Sequence, residues 1–448
     1  MTGSVADRPR EKHKLNWSLV ARALRHRNYR LFFSGQGVSL IGTWMTRVAT
    51  AWLVYRLTGS AFLLGLVSFS SQIPILILGP FAGVWVDRLD RQRVLVVTQV
   101  LSMLQSFALA ILALLHIITV PEVIALNLFQ GAINAFDTPA RQSFVIEMVE
   151  NSDDLGNAIA LNSSLVNAAR LIGPTIAGMM IAVVGEGYCF LIDGISYIAV
   201  IASLLAMVVT VRPRERKHAS VLSELKEGWD YILGFRPLWS ILLLCALISL
   251  VAMPYTTLMP IFAGNILHGG PHTLGFLMAA VGIGALIGAL RLAARESVLG
   301  LGRVIGYTAG GFGASLMLFA ASRQLWLSWL LLIVTGFCFM QQLASSNTVL
   351  QTLVDDEKRG RVMSFYSMAF QGVAPFGSLI AGAVATHIGA PHTLMIGGAI
   401  CICAAALFAA QLPTLRPLIR PIYIKRGIIP EVATAMHAAS ALQQPAED

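Results

Sequence analysis

Two arginines, Arg47 and Arg170, stand deep inside long apolar stretches of this 448-residue chain. A charge at the centre of a bilayer costs roughly 2.5–3.5 kcal/mol on insertion scales, so an intramembrane arginine faces a cavity or a partner. Arg47 lies about 16 residues into its stretch and Arg170 about 12 into its own, which places both near mid-depth at about 1.5 Å per residue. Polar residues accompany them at helical spacing. Asn127, Gln130, Asn134 and Asp137 recur at i, i+3, i+7 and i+10 on one face. Gln36, Ser39, Thr43, Arg47 and Thr50 form a second stripe, and Ser163, Asn167 and Arg170 a third. Arg47 and Arg170 can line a cavity and meet an anionic or strongly hydrogen-bonding solute. They can equally be neutralised by Asp137 and Asp193 in a structural network. Asp137, in low dielectric near an arginine, can exchange a proton as a cavity opens, or serve as a simple gate pair. Gln341 and Gln342, with Ser345, Ser346 and Asn347, can donate to a solute or bind helices together.

The elements that hold these residues are membrane spans. The chain is 56% hydrophobic and 12% charged, with a mean hydropathy of +0.71, whereas soluble proteins carry about 25% charged residues. A spanning helix needs about 20 mostly apolar residues, and by that rule there are twelve, at about 31–55, 61–86, 94–116, 120–141, 158–184, 188–210, 238–263, 273–293, 303–321, 324–346, 362–386 and 392–411. All but four of the 32 Lys and Arg residues fall in the first arm, in every second loop after it, or in the tail; the exceptions are Arg47, Arg56, Arg170 and Arg323. That alternation is the positive-inside pattern of a many-times-crossing chain, and with an even number of spans it puts both termini in the cytoplasm. The net charge of +9 therefore reports orientation and contact with membrane lipid, and nucleic acid is excluded as a partner. The five cysteines lie within apolar stretches as small hydrophobes. No metal-ligand cluster, cofactor motif, phosphate-binding glycine loop or catalytic triad is visible, so the chain is not read as an enzyme. No cleavable leader is expected, because a polar, basic arm precedes the first apolar run.

The expected organisation is a basic arm at 1–30, six helices at 31–210, a cytoplasmic linker at 211–237, six helices at 238–411 and a tail at 412–448. Residues 221–235 place Leu222, Leu225, Trp229, Ile232 and Leu233 on one helical face, the pattern of a helix lying on the membrane surface. Gly156, Gly173, Gly178, Gly185 and Gly194 align with Gly360, Gly377, Gly382, Gly389 and Gly398 at one offset of 204 residues. Repetition at equivalent places implies two parallel six-helix halves, with a substrate site near the midplane between them.

After the second span comes Gly83-Val84-Trp85-Val86-Asp87-Arg88-Leu89-Asp90-Arg91-Gln92-Arg93. This resembles the signature loop of the major facilitator superfamily, Gly-x-x-x-Asp-Arg-x-Gly-Arg-Arg. Gly83, Asp87, Arg88 and Arg91 match, while Asp90 stands at the glycine and Gln92 at a basic position. The resemblance implies that Asp87 faces the eleventh helix and locks the outward-facing state, with Arg141 as a partner. Gly288 and Arg291 keep only part of this loop in the second half. Gly173-Pro174, followed by Gly178, is similar to the antiporter signature of exporters in that superfamily; the pair bends its helix and thins its face. Many members carry Arg-x-x-Gln-Gly in the fourth helix, but this chain reads Asn127-Leu128-Phe129-Gln130-Gly131, so their proton mechanism does not transfer directly.

Further stretches, Gly42-Thr43-Trp44-Met45, Phe136-Asp137-Thr138-Pro139-Ala140-Arg141-Gln142 and Asn157-Ala158 with Asn162-Ser163, look like the bacterial drug:proton antiporter group containing the enterobactin exporter and macrolide efflux proteins. That resemblance implies an exporter of a siderophore, drug or related small molecule, driven by protons; the chain is expected to act as a monomer. A uniporter or importer on the same fold, and a non-transporting membrane sensor, remain as alternatives.

Overall fold

The computed structural model describes residues 22–86, 88–149, 152–208, 221–295 and 297–429, which are helical with no strand among them. Helices α1 (Arg27–Thr58), α2 (Ala61–Val86), α3 (Arg91–Leu114), α4 (Val120–Met148), α5 (Ser152–Val184) and α6 (Glu186–Leu205) precede a short α7 (Val221–Gly234). Then come α8 (Arg236–Val251), α9 (Tyr255–Ile261), α10 (Pro271–Ala293), α11 (Leu301–Ala321), α12 (Leu325–Leu353), α13 (Arg359–Ser367), α14 (Ala374–Ile388) and α15 (Ala390–Lys425). Among the described residues, ten helical stretches are long and apolar enough to cross a membrane, so this is a multi-pass membrane protein. Two other long helices, α1 and α4, carry the polar stripes, and those side chains lower their hydropathy.

Two expected spans are interrupted, each with a proline at or just after the break. The expected seventh span is broken between α8 and α9 at Pro254, which cannot donate a backbone hydrogen bond, and it ends in a turn of π-helix over Phe262–Ile266. The eleventh is α13 and α14, joined by a π turn over Met368–Gly372 ahead of Pro375. The twelfth continues far past 411, through Pro413, Pro417 and Pro421, to Lys425.

Packing falls into recurring pairs. Helix α1 lies on α5 and α6, α2 on α4, and α3 on α4 and α6; α10 lies on α12, and α11 on α12 and α15. The two most extensive crossings between these groups are α5 with α10 and α2 with α14. Both are seated on glycine. A Cβ on Gly178 would stand 2.7 Å from the Pro271 carbonyl oxygen and 2.9 Å from Gly275 Cα, and one on Gly275 would stand 2.6 Å from the Pro174 oxygen. In the other crossing, a Cβ on Gly65 would stand 2.5 Å from the Ser378 oxygen, and one on Gly382 2.6 Å from the Ala61 oxygen. Backbone touches backbone, as small residues allow in membranes. Both contacts lie at the end of the bundle where α5 finishes and α2 and α10 begin. At the opposite end, a Cβ on Gly79, Gly83, Gly156 or Gly360 would meet nothing within 4 Å. The close backbone crossings between the two groups therefore gather at one end of the bundle.

Helix α7 packs on α13 at the end of the bundle away from those crossings. Trp229 stacks 5.7 Å from Phe365, Glu227 meets Arg361 at 2.6 Å, and Lys358 sits 4.6 Å over the Tyr231 ring. Ile232 is buried while Trp229 and Leu233 stay exposed; Leu222 and Leu225 lie outside the described side chains.

Candidate functional site

The deepest polar site is built where α5 can approach α1 closely. A Cβ on Gly173 would stand 2.5 Å from Trp44 Cβ and 3.1 Å from the Ile41 oxygen, so the missing side chain seats α5 against Trp44. Arg47 Cζ lies 4.8 Å from the Trp44 ring centroid and Arg170 Cζ 5.3 Å from it. The two guanidiniums share one indole. Tyr255, fully buried on α9, lies in the electrostatic neighbourhood of Arg170. Arg47 is exposed although it stands well inside a 32-residue helix among Arg170, Tyr197 and Asp193. The surface it exposes is therefore internal, the wall of a cavity. Neither arginine has an ion-pair partner among the described residues, and the Arg170 Nε is buried without an acceptor.

Asp193, 2% exposed on α6, does not bond to these arginines. One carboxylate oxygen accepts from Thr46 and from Ser106, each at 2.9 Å. The other has no donor, and a Cβ on Gly42 would stand 2.7 Å from it.

Asp137 heads a separate cluster. Its Oδ1 accepts from Thr98 at 2.9 Å and from Gln99 at 2.7 Å, and its Oδ2 from Arg141 Nε at 3.1 Å, one helical turn on. Gln130 donates to Ser102 and to Asn134, each at 3.1 Å, and Asn127 to the Val123 oxygen of its own helix at 2.8 Å. The α4 stripe thus largely satisfies itself and α3. Direct neutralisation of Arg47 and Arg170 by Asp137 or Asp193, one of the two readings from sequence, is not made here.

The structure also places Gln341 and Gln342 away from this site. Gln341 donates to the Gly288 oxygen at 2.7 Å, and Gln342 to Cys245 Sγ at 3.4 Å and Ser346 at 3.3 Å. Both amides are buried between α12 and its neighbours, α10 and α8, because an amide without water must find a partner on an adjacent helix.

In the signature loop, Asp87 lies outside the described residues. Gly83 faces open space, Arg88 is exposed, and Arg91 is hydrogen-bonded to Glu147 at the end of α4. The two departures from the family pattern have local roles. Asp90 caps α3 by accepting from the Arg93 amide at 3.2 Å, and Gln92 ties α3 to α6 through the Leu204 oxygen at 2.6 Å. Glu147, Thr46, Ser106 and Tyr255 were not expected at these sites. Glu147 is 56 positions from Arg91, and no spacing rule links residues so far apart. Among the described residues, no cluster of His, Cys, Asp or Glu could hold a metal ion.

Comparison with known proteins places the whole bundle. The family model described as "Transmembrane secretion effector" matches residues 20–419. The chain is 30% identical to the staphyloferrin A transporter of Staphylococcus aureus (strain NCTC 8325 / PS 47), over 84% of this chain and 94% of that one. It is 28% identical to the multidrug efflux pump Tap of Mycolicibacterium fortuitum, over 84% and 93%. In three dimensions it is similar to the nucleoside transporter NupG, with a TM-score of 0.67 at 14% identity, over 87% of this chain and 99% of that one.

Proposed function

The chain belongs to the transmembrane secretion effector family of the major facilitator superfamily, and we propose that it is an alternating-access exporter of a small molecule, probed from the cytoplasm at the Arg47–Arg170 cavity. It is a transporter and not an enzyme. The observation that carries the reading is a bundle whose two groups of helices cross backbone to backbone at one end, above two intramembrane arginines that share Trp44 and have no ion-pair partner among the described residues. The relatives' names bring a siderophore or a drug as the cargo.

The finer organisation is part of the proposal. Twelve spans form two six-helix halves, 31–210 and 238–411, with 1–30, the linker 211–237 and the tail 412–448 on the cytoplasmic side, opposite the close crossings, and this reading takes that side as the open end. Equivalent glycines support this. Gly173 meets α1 and Gly377 meets α8; Gly178 meets α10 and Gly382 meets α2; Gly194 meets α3 and Gly398 meets α11. Gly185 and Gly389 both turn the chain with positive φ, 90° and 83°. Protons enter as cargo leaves, and the protein works as a monomer. Asp137 is the proposed proton carrier. Gly83, Asp87, Arg88, Arg91 and Arg141 form the lock at the open end, released as that end opens, and Gly173, Pro174 and Gly178 form the pivot.

The test is uptake into inverted membrane vesicles of a panel of siderophores and drugs, with proton movement recorded. Export predicts uptake that stops when the pH gradient is collapsed. Flux that persists identifies a uniporter, and binding without flux identifies a sensor. Asp87→Asn is expected to slow uptake several-fold while expression and melting temperature stay near wild type. Wild-type kinetics in that variant remove the lock.

A further inference from the structure

We propose that the cavity wall of Arg47, Trp44 and Arg170 takes a cargo bearing a carboxylate or comparable oxyanion, whose negative charge is what neutralises the two guanidiniums. This rests on the export reading above and names the class of cargo. Two positive charges within reach of one indole repel each other, and each loses hydration inside the membrane. A protein that held them only for structure would supply a carboxylate within bonding distance of at least one. Here the nearest acid, Asp193, is tied instead to Thr46 and Ser106, and Asp137 is tied to Arg141, Thr98 and Gln99. Tyr255 and Tyr197 are the other titratable groups facing the pair, and neither supplies an anion at neutral pH.

The site is therefore rich in donors and poor in acceptors. The Arg170 Nε–H is buried and unsatisfied, while Arg47 opens into the cavity. A planar guanidinium is the side chain best matched to a carboxylate, which it can grip through two parallel hydrogen bonds. The indole face holds both guanidiniums by cation–π attraction and keeps them oriented when the cavity is empty. With both centres within about 5 Å of the ring centroid, one carboxylate or two on a compact scaffold can reach both.

The test uses the full-length protein in detergent and follows its melting temperature against concentration, at constant ionic strength, for paired probes: benzoate with benzamide, and citrate with triethyl citrate. The acids are expected to stabilise and their neutral partners not to. Half-saturation should rise at least tenfold in Arg47→Gln and in Arg170→Gln, with part of the affinity kept in Arg47→Lys. Without ligand, Arg47→Gln should melt no lower than wild type, because it removes a repulsion; a structural arginine would instead leave a less stable protein. Equal stabilisation by the neutral partners, no binding by any acid, or an undiminished acid response in Arg47→Gln overturns the proposal. The vesicle assay separates the two readings. Acid binding without flux counts against export alone, and flux without preference for acids counts against this cargo class alone.

Discussion

Replacing Gly178 with leucine is expected to lower transport about ten- to a hundredfold while the protein still inserts in the membrane. The added Cβ would lie 2.7 Å from the Pro271 oxygen and 2.9 Å from Gly275 Cα. Both obstacles are backbone, so neither can rotate aside, and α5 must back away from α10. Overpacking of this kind costs about 1–3 kcal/mol, and each 1.4 kcal/mol is about a factor of ten in the population of the pinched state. An alternating-access cycle passes through that state once per turnover. Gly382→Leu should act alike at the α14–α2 crossing, where the Ala61 oxygen stands in the way. Gly156→Ala is the control: it lies in a helix with nothing within 4 Å of the new methyl and should transport within twofold of wild type. Cargo uptake per unit of membrane-inserted protein measures all three, and a near-normal Gly178→Leu would mean that the crossing is not part of the cycle.

Removing Arg141 is expected to lower stability by about 3 kcal/mol, the low end for breaking a buried pair. Its guanidinium is the cationic partner of Asp137, a carboxylate 5% exposed. Arg141→Ala leaves that carboxylate with only Thr98 and Gln99 as donors. Arg141 is itself partly exposed, which keeps the loss from being larger. The double variant Arg141→Ala with Asp137→Asn should recover more than half of the loss, because no unpaired charge then remains. Denaturant unfolding in detergent reads both values. Equal stability of the single and double variants would show that the charge pair contributes little.

Much of this architecture could be read from residue order alone, and the misses have physical reasons. Apolar runs gave helices such as Ala61–Val86 almost to the residue, because hydrocarbon thickness fixes their length. The break at Pro254 was missed because the run on either side stays apolar, and hydropathy does not register a lost backbone donor. Depth placed Arg47 and Arg170 together, but the pairing of Arg141 with Asp137 one turn away was not read from the sequence, which offered Arg141 to Asp87 instead. That the two arginines share Trp44, that Asp193 answers to Thr46 and Ser106, and that Gln341 reaches Gly288 depend on which faces of separate helices meet. A single chain of letters carries no signal for that.

Arg47 stands about 16 Å from the sealed end of α1, counted at 1.5 Å per residue. In the proposed orientation, with the opposite end open to the cytoplasm, solvent would carry the cell's internal potential inward as far as this arginine. The membrane voltage then drops across the sealed remainder. A unit charge crossing the whole field exchanges about 2.3 kcal/mol per 100 mV. An anion leaving outward from this depth falls through most of that field, away from a negative interior. Voltage alone therefore helps expel it, before any proton is counted.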